Sequence, residues 1–348
     1  MRIAVTTVQV PFIRGGAEIL AEGLVKAIRE AGHEVDEITM PFRFYPVSEV
    51  KRSMDVWESE NFEYMNGYTM DVVICLKFPT FYLNHPNKVT WLIHQHRAVY
   101  ELWNTPFTEG LSNTSEGINL RQDIINRDTK ALKNFQKVYT IAKTVSERLQ
   151  HFNQISSIPL YNPPRLANYF YTASAEPYIF FPSRLEDLKR QDLLIKAMQY
   201  VTSPVVALLA GEGGKKVDLR QLISQLNLNQ RVRLLGRITD EELLGFYAHS
   251  LGVFFGSYDE DYGYVTLEAM LALKPVITCT DSGGSLEFVV NGETGFVVEP
   301  NPEAVAQAID DLYFNQKRAT EMGKAGLERY HALDISWDNV VQKLLNNG

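Results

Sequence analysis

Cysteine is scarce in this chain: Cys75 and Cys279 are the two present among 348 residues. Both sit in apolar, strand-like runs, which argues against a disulfide framework or a thiolate metal centre and for buried thiols in a reducing compartment. Long hydrophobic runs are missing too. YIFFP and PVVALLAG are the length of buried strands, far short of the ~20 residues of a membrane-spanning helix. The chain reads as a strand almost from Met1, so no signal peptide is expected and the predicted compartment is the cytoplasm. Basic excess is absent as well. The net charge is −8, with 18 Lys+Arg against 18 Asp+Glu in residues 1–165 and 16 against 24 in the remainder. That balance excludes a nucleic-acid partner. It leaves weak peripheral contact of the neutral first half with an anionic membrane surface open. No internal repeat or low-complexity tract is found.

What is present is a regular alternation of strand-like and helical runs, long enough for two domains of parallel α/β architecture. Arg2–Thr7 reads as a strand, Gly15-Gly16 as a turn, and Ala17–Ala31 as a helix closed by Gly32. The Gly15-Gly16 turn does not fit the G-x-G-x-x-G of dinucleotide enzymes, though two glycines allow a close backbone approach to a phosphate. Residues 48–70 read as mainly helical, Asp71–Leu76 and Lys88–His94 as buried strands. The second of these runs into His94-Gln95-His96-Arg97. Imidazoles at the C-terminal end of a parallel strand face the crevice where α/β sheets bind ligands. Residues 101–120 read as a polar loop or lid and Arg121–Gln136 as an amphipathic helix. Past Pro163-Pro164 a second series begins with the strand Tyr178–Pro182, and a final helix is expected between Asp334 and Leu345.

The richest stretch is Gly256–Pro275, GSYDEDYGYVTLEAMLALKP. Its polar first half reads as a loop holding Glu260. Its second half reads as a helix with Glu268 in the first turn and the N–H groups of Gly263, Tyr264 and Val265 at its N-terminus. A helix N-terminus attracts phosphate through unsatisfied donors and the macrodipole. A carboxylate on either side suits a nucleotide-sugar, one acid for ribose hydroxyls and the other for sugar hydroxyls.

Glu260-x7-Glu268, followed by AMLALKPVI and SGGSLEFVVNGETGFVVEP, resembles the E-x7-E region of retaining GT-B glycosyltransferases of family 4, the glycosyl transferases group 1. Ser183-Arg184-Leu185-Glu186-Asp187-Leu188-Lys189-Arg190 resembles the G-R-L-x-x-x-K-G segment of the same family, with Ser183 and Arg190 standing where glycines are common. The resemblance is strong over the second half and looser over the first. It implies a GT-B fold: two Rossmann-like parallel-sheet domains facing a cleft, with residues 1–165 on the acceptor side and 166–333 binding the nucleotide-sugar. Residues 334–348 would form a terminal helix crossing back to the first domain. It implies transfer of a sugar from a nucleotide diphosphate-sugar to an acceptor hydroxyl with retained anomeric configuration, in the synthesis of a polysaccharide, glycolipid or other glycoconjugate. UDP and GDP donors are favoured by family frequency, and the acceptor is a saccharide or a lipid-linked one.

The residue roles implied are these. Arg184 and Lys189 meet the diphosphate together with the terminus at Gly263, Tyr264 and Val265. Glu260 holds the sugar and Glu268 the ribose. Arg237 and Ile238 lie in the turn that lines the base. Gly15 and Gly16 form the donor loop, and His94, with His96 as the rival, contacts the sugar near its reacting carbon. No cofactor beyond the donor and no metal is expected; Asp259-Glu260-Asp261 fits a D-x-D metal pattern, but two cations already answer the diphosphate. The competing readings are a sugar-nucleotide isomerase or epimerase of the same shape and a nucleotide-binding protein without turnover.

Overall fold

In a computed structural model the described residues are 1–108 and 110–346; Glu109, in the expected lid, and Asn347 and Gly348 lie outside them. The chain divides into two compact units, Met1–Arg165 together with the residues from Ile335 onward, and Leu166–Asp334.

The first unit is built on a parallel sheet. Its strands are β1 (Arg2–Gln9), β2 (Glu34–Pro41), β5 (Val72–Cys75), β6 (Lys88–Leu92), β7 (Val138–Thr140) and β8 (Ile158–Pro159), in the order β2-β1-β5-β6-β7-β8. The helices α1 (Gly16–Glu30), α2 (Val47–Ser59), α3 (Ser115–Leu132) and α4 (Lys143–Asn153) make the crossovers. Val5, Ile74, Cys75 and Trp91 are fully enclosed, as expected of strands covered on both faces. Helix α11 (Trp337–Leu345) belongs to this unit and packs on α1. The approach is close: a Cβ on Gly23 would lie 2.4 Å from the Trp337 ring, so only glycine fits there. Trp337 in turn meets Trp91 edge to face at 6.3 Å.

Two expectations are corrected in this unit. The helix expected over residues 48–70 stops at Ser59, and a hairpin of β3 (Tyr64–Met65) and β4 (Tyr68–Thr69) follows. Asn66 and Gly67 turn it with φ of 49° and 91°, the conformation that Asn-Gly adopts in a two-residue hairpin. The helix expected from Arg121 begins at Ser115, because the Thr114 side chain accepts from the Gly117 N–H and caps it. Part of the expected lid is therefore helix.

The second unit has the parallel order β11-β10-β9-β12-β13-β14. Its strands are β9 (Tyr178–Pro182), β10 (Val206–Ala210), β11 (Val232–Gly236), β12 (Gly252–Phe254), β13 (Val276–Cys279) and β14 (Gly295–Val298). Alternation along β9 splits the core. Ile179 and Phe181 pack with α5 (Gln191–Ala197), α6 (Lys216–Gln225), α9 (Pro302–Phe314) and α10 (Gln316–Ala332). Tyr178 and Phe180 pack on the other face with α7 (Asp240–His249) and α8 (Tyr264–Leu271). In each unit the strand order reverses at the first strand, between β1 and β5 and between β9 and β12. Open α/β sheets bind ligands beyond the carboxyl ends of the strands at such a switch point.

Candidate functional site

At the switch point of the second unit, β9 runs into Ser183–Arg190 and β12 runs into Phe255–Gly263. The two loops are laced by backbone: the Tyr258 N–H donates to Leu188 O at 2.8 Å. The turn after β13 joins them, with the Asp259 N–H on Asp281 O at 2.9 Å and the Gly284 N–H on Glu260 O at 2.7 Å. Lys189 and Glu260 form an ion pair across the junction, their side chains 16% and 19% exposed. The Lys189 ammonium also lies over the Phe255 ring, 5.4 Å from its centre. The charges are thus fixed in position and still reachable from solvent.

Helix α8 starts one turn beyond Glu260. Gly263 precedes it with φ of 83°, and a Cβ there would come within 2.7 Å of Ser285 Oγ. Glycine is required on both counts. The residue before this helix is a glycine, with no side chain to cap it, and no acid stands in the helix's first turn. The Ser285 hydroxyl beside it is fully buried and makes no hydrogen bond within the described residues. Glu268 is the fifth residue of α8, which corrects the expectation that it lies in the first turn. Loop geometry holds the polar stretch as far as Gly263, so the helix begins at Tyr264 and Glu268 falls in its second turn. Its Oε2 accepts from the buried Tyr247 hydroxyl at 2.6 Å. Burial and that carboxylate push the Tyr247 ionisation well above its usual range.

The remaining expected residues are dispersed. Arg184, 43% exposed, pairs with Glu186 at 2.9 Å rather than facing Lys189. Arg237 is exposed and Ile238 half-buried just past the end of β11. In the first unit, Gly15 caps α1 and Gly16 opens it, but the Gly15 N–H already donates to Glu18 Oε2 at 2.8 Å. Lys77, at the end of β5, lies 3.8 Å from Glu18. Burial lowers the Lys77 ionisation below the ordinary lysine range.

The strand expected to end at His94 ends at Leu92, which places both imidazoles in the loop beyond it. His94 Nδ1 donates to Gln95 O at 2.7 Å. His96, the rival of His94, is enclosed with Phe42, Phe44 and Phe78 against its ring. Burial pushes its ionisation down to about 4, so it is neutral at physiological pH.

Sequence reasoning passed over two residues of the second unit. Arg190, noted in the sequence only as standing where a glycine is common, grips Asp281 with both terminal nitrogens, at 2.8 and 2.7 Å, and donates to Gly256 O at 2.7 Å. It clamps three strand-end loops, and it takes the left-handed φ of 52° where the resembled segment commonly has glycine. Tyr247 gave no signal, since a tyrosine within an amphipathic helix reads as core. Among the described residues no group of three or more His, Cys, Asp or Glu is disposed to hold a metal ion, and no helix is long and apolar enough to cross a membrane.

Residues 171–329 match the sequence model of the family described as Glycosyl transferases group 1. The chain is 25% identical to an uncharacterised glycosyltransferase of Methanocaldococcus jannaschii, over 99% of this chain and 97% of that one. Its fold is similar to sucrose-phosphate synthase from Thermosynechococcus elongatus, with TM-score 0.78, 20% identity and coverage of 99% and 97%. It is also similar to HepE from Anabaena in complex with UDP and glucose, with TM-score 0.69, 17% identity and coverage of 99% and 98%. The fold is that of the GT-B glycosyltransferases, two Rossmann-like parallel-sheet units, and its second unit carries the group 1 sequence pattern.

Proposed function

We propose that the protein is a retaining glycosyltransferase of family 4 that takes a sugar from a nucleotide diphosphate-sugar to an acceptor hydroxyl. The observation that carries the reading is the Lys189–Glu260 pair at the β9/β12 switch point, one turn before the N-terminus of α8, whose first turn holds no acid. Breaking the bond between sugar and diphosphate develops positive charge on the ring and negative charge on the departing phosphate. A cation, a carboxylate and a helix N-terminus within one loop cluster answer both. Preorganised groups of this kind are worth several kcal/mol of barrier.

In this reading Lys189 and the N–H groups of Gly263, Tyr264 and Val265 receive the diphosphate, joined by Arg184 once it leaves Glu186. Glu260 holds sugar hydroxyls. Glu268, kept in place by Tyr247, accepts from the ribose. Arg237 and Ile238 line the base, Gly15 and Gly16 approach the donor, and His94 contacts the transferred sugar. In this reading Lys189 and Arg184 together answer the diphosphate in place of a metal ion, and activity is expected to survive EDTA. A polysaccharide or lipid-linked acceptor is what the family resemblance implies, and the two buried free thiols support a cytoplasmic site of action. HepE is a relative in fold bound to UDP and glucose, which favours a UDP-sugar among the donors.

Incubation with radiolabelled UDP-glucose and GDP-mannose tests the reading. Transfer, or slow hydrolysis releasing the sugar with retained configuration, supports it. An epimerised donor points to the isomerase, and tight nucleotide binding with neither product points to a binding protein. A strict Mg²⁺ requirement would give Asp259 and Asp261 the role denied to them here.

A further inference from the structure

The first unit holds a buried polar network that the proposed reaction leaves unused. Asp128, on α3, is fully enclosed. Its Oδ1 accepts from the Tyr82 hydroxyl at 2.5 Å and its Oδ2 from the Tyr100 hydroxyl at 2.7 Å, and the Gln95 amide also donates to it. Gln95 Nε2 donates to Asn153 Oδ1 at 2.8 Å, and Asn153 Nδ2 donates to Thr129 Oγ1 at 2.7 Å. Three segments of chain therefore meet on one carboxyl group, and Asn153 joins them through Gln95. A buried carboxyl is retained only where donors surround it, and here two of the donors, Gln95 and Tyr100, belong to one short loop.

That loop is tied down at every other residue as well. Arg121 Nε donates to Val99 O at 2.9 Å, and Arg97 and Arg148 both bond Glu101 Oε1, at 2.5 and 3.3 Å. Immediately before it stands His94. A carbonyl oxygen carries no proton, so the 2.7 Å contact of His94 Nδ1 with Gln95 O places the proton on Nδ1. In a neutral His94 the lone pair then belongs to Nε2. The position of the Gln95 carbonyl decides that tautomer, and the Gln95 side chain is anchored in the Asp128 network.

We infer that Asp128 is a positioning residue: with Tyr82, Tyr100, Gln95 and Asn153 it holds the Gln95–Glu101 loop so that His94 keeps one tautomer and one orientation. The part of this inference that concerns turnover rests on the reading of His94 as a contact of the transferred sugar; the part that concerns the loop does not. Burial raises the Asp128 ionisation to about 7, against three hydrogen bonds that lower it. The groups facing it are Tyr82 and Tyr100, whose own ionisations are pushed well above the usual range, with Arg127 and Arg121 acting on those two hydroxyls. When pH falls through about 7 the carboxylate gains a proton, and one tyrosine hydroxyl then loses its acceptor.

The test uses the full chain with ¹⁵N-labelled histidine. The wild type is expected to show His94 as the Nδ1–H tautomer at pH 8, and Asp128→Asn as a mixture of both. In transfer or hydrolysis assays with UDP-glucose, Asp128→Asn should lower kcat roughly tenfold, with the donor KM within about twofold, as for loss of orientation rather than of binding. The inflection of kcat near pH 7 should vanish with it. Should Asp128→Asn fail to fold, Tyr100→Phe removes one hydroxyl, keeps the ring that packs on Phe152, and is read in the same way. A His94 tautomer identical in wild type and variants overturns the inference, and so does a loss confined to donor KM. A wild type inert toward every nucleotide-sugar would sink the glycosyltransferase reading, while the histidine spectra would still decide the role of Asp128.

Discussion

Each unit places one lysine–glutamate pair at the switch point of its sheet, and the two pairs are wired in opposite senses. In the first unit the carboxylate of Glu18 sits in the first turn of α1 and takes the Gly15 N–H, while Lys77 stands behind it, nearly buried. In the second unit Glu260 lies in the loop before α8, the first turn of that helix carries no acid, and Lys189 stands beside it. The difference is one of occupancy. A helix N-terminus that holds its own carboxylate has already satisfied donors that an anion would use, and the carboxylate repels a second negative charge. A terminus preceded by glycine, with no acid in its first turn and a cation nearby, lacks that repulsion. The same topology therefore sets an acid in the helix's first turn in one unit and none there in the other.

The sharpest way to break this comparison is Lys189→Ala. It should reduce kcat/KM about 10²–10³-fold, the scale for removal of one preorganised group facing developing charge. It should also weaken nucleoside diphosphate binding by about 1.5–3 kcal/mol while sparing the monophosphate. Calorimetric titration with UDP and UMP checks it, with Lys77→Ala as the control expected to leave both affinities unchanged. Equal losses for UDP and UMP would remove Lys189 from the second phosphate.

Gly263→Ala comes next. It forces an alanine to φ near 83° with its Cβ 2.7 Å from Ser285 Oγ, a strain of about 1–3 kcal/mol. Urea unfolding should show that loss, and UDP affinity should fall with it because the terminus of α8 is displaced. Unchanged UDP affinity in a destabilised variant would show that the terminus is structural only.

A third test concerns pH and sets the fully buried acid of the first unit against the half-buried pair of the second. The folded-state ionisation of Asp128 is raised to about 7 from an ordinary value of 3.8. Its contribution to stability is therefore complete below about pH 4 and is lost as pH rises through 7. Asp128→Asn cannot make this loss, so its stability relative to wild type should improve between pH 5 and pH 8. Denaturation curves at the two pH values check the sign. A gap that stays constant would place the titration elsewhere.

The smallest effect is expected from Glu18→Gln, which weakens the bond to the Gly15 N–H and removes the dipole interaction. A cost of about 0.5–1 kcal/mol in unfolding free energy is expected, with UDP affinity unchanged. A gain in UDP affinity would mean that the α1 terminus is held shut only by its own acid.

Local chemistry explains which parts of this molecule could be read from the chain. Runs such as YIFFP and DVVICL are apolar, β-branched or aromatic and of strand length, so their assignment needed no knowledge of their neighbours. Thr239 and Glu242, three residues apart, bond each other reciprocally as a capping box at the start of α7. The Asn66-Gly67 hairpin and the Thr114 cap were equally local signals, set aside by a helical reading of 48–70 and a lid reading of 101–120. The loop position of Glu260 followed from the polar turn residues around it, whereas the left-handed φ of Gly263 is set by the packing of Ser285 against it.

Other assignments depended on partners distant in sequence. That Lys189 meets Glu260, 71 residues away, follows from β9 and β12 being neighbours in the sheet. That Arg190 is a clamp rather than a solvated charge follows from Asp281, 91 residues on. His94 and His96 stand two apart and look alike in the chain. Burial among three phenylalanines makes one a neutral core group, while the carbonyl of Gln95 assigns the proton of the other. Sequence by itself determined the alternation of strands and helices, the division into two units that alternation allows, and the residue types expected to meet a diphosphate. Only the tertiary structure decided which helix holds its own acid in the first turn beside a lysine and which has its lysine–glutamate pair in the preceding loop, because ion pairing and desolvation depend on distances that strand order creates.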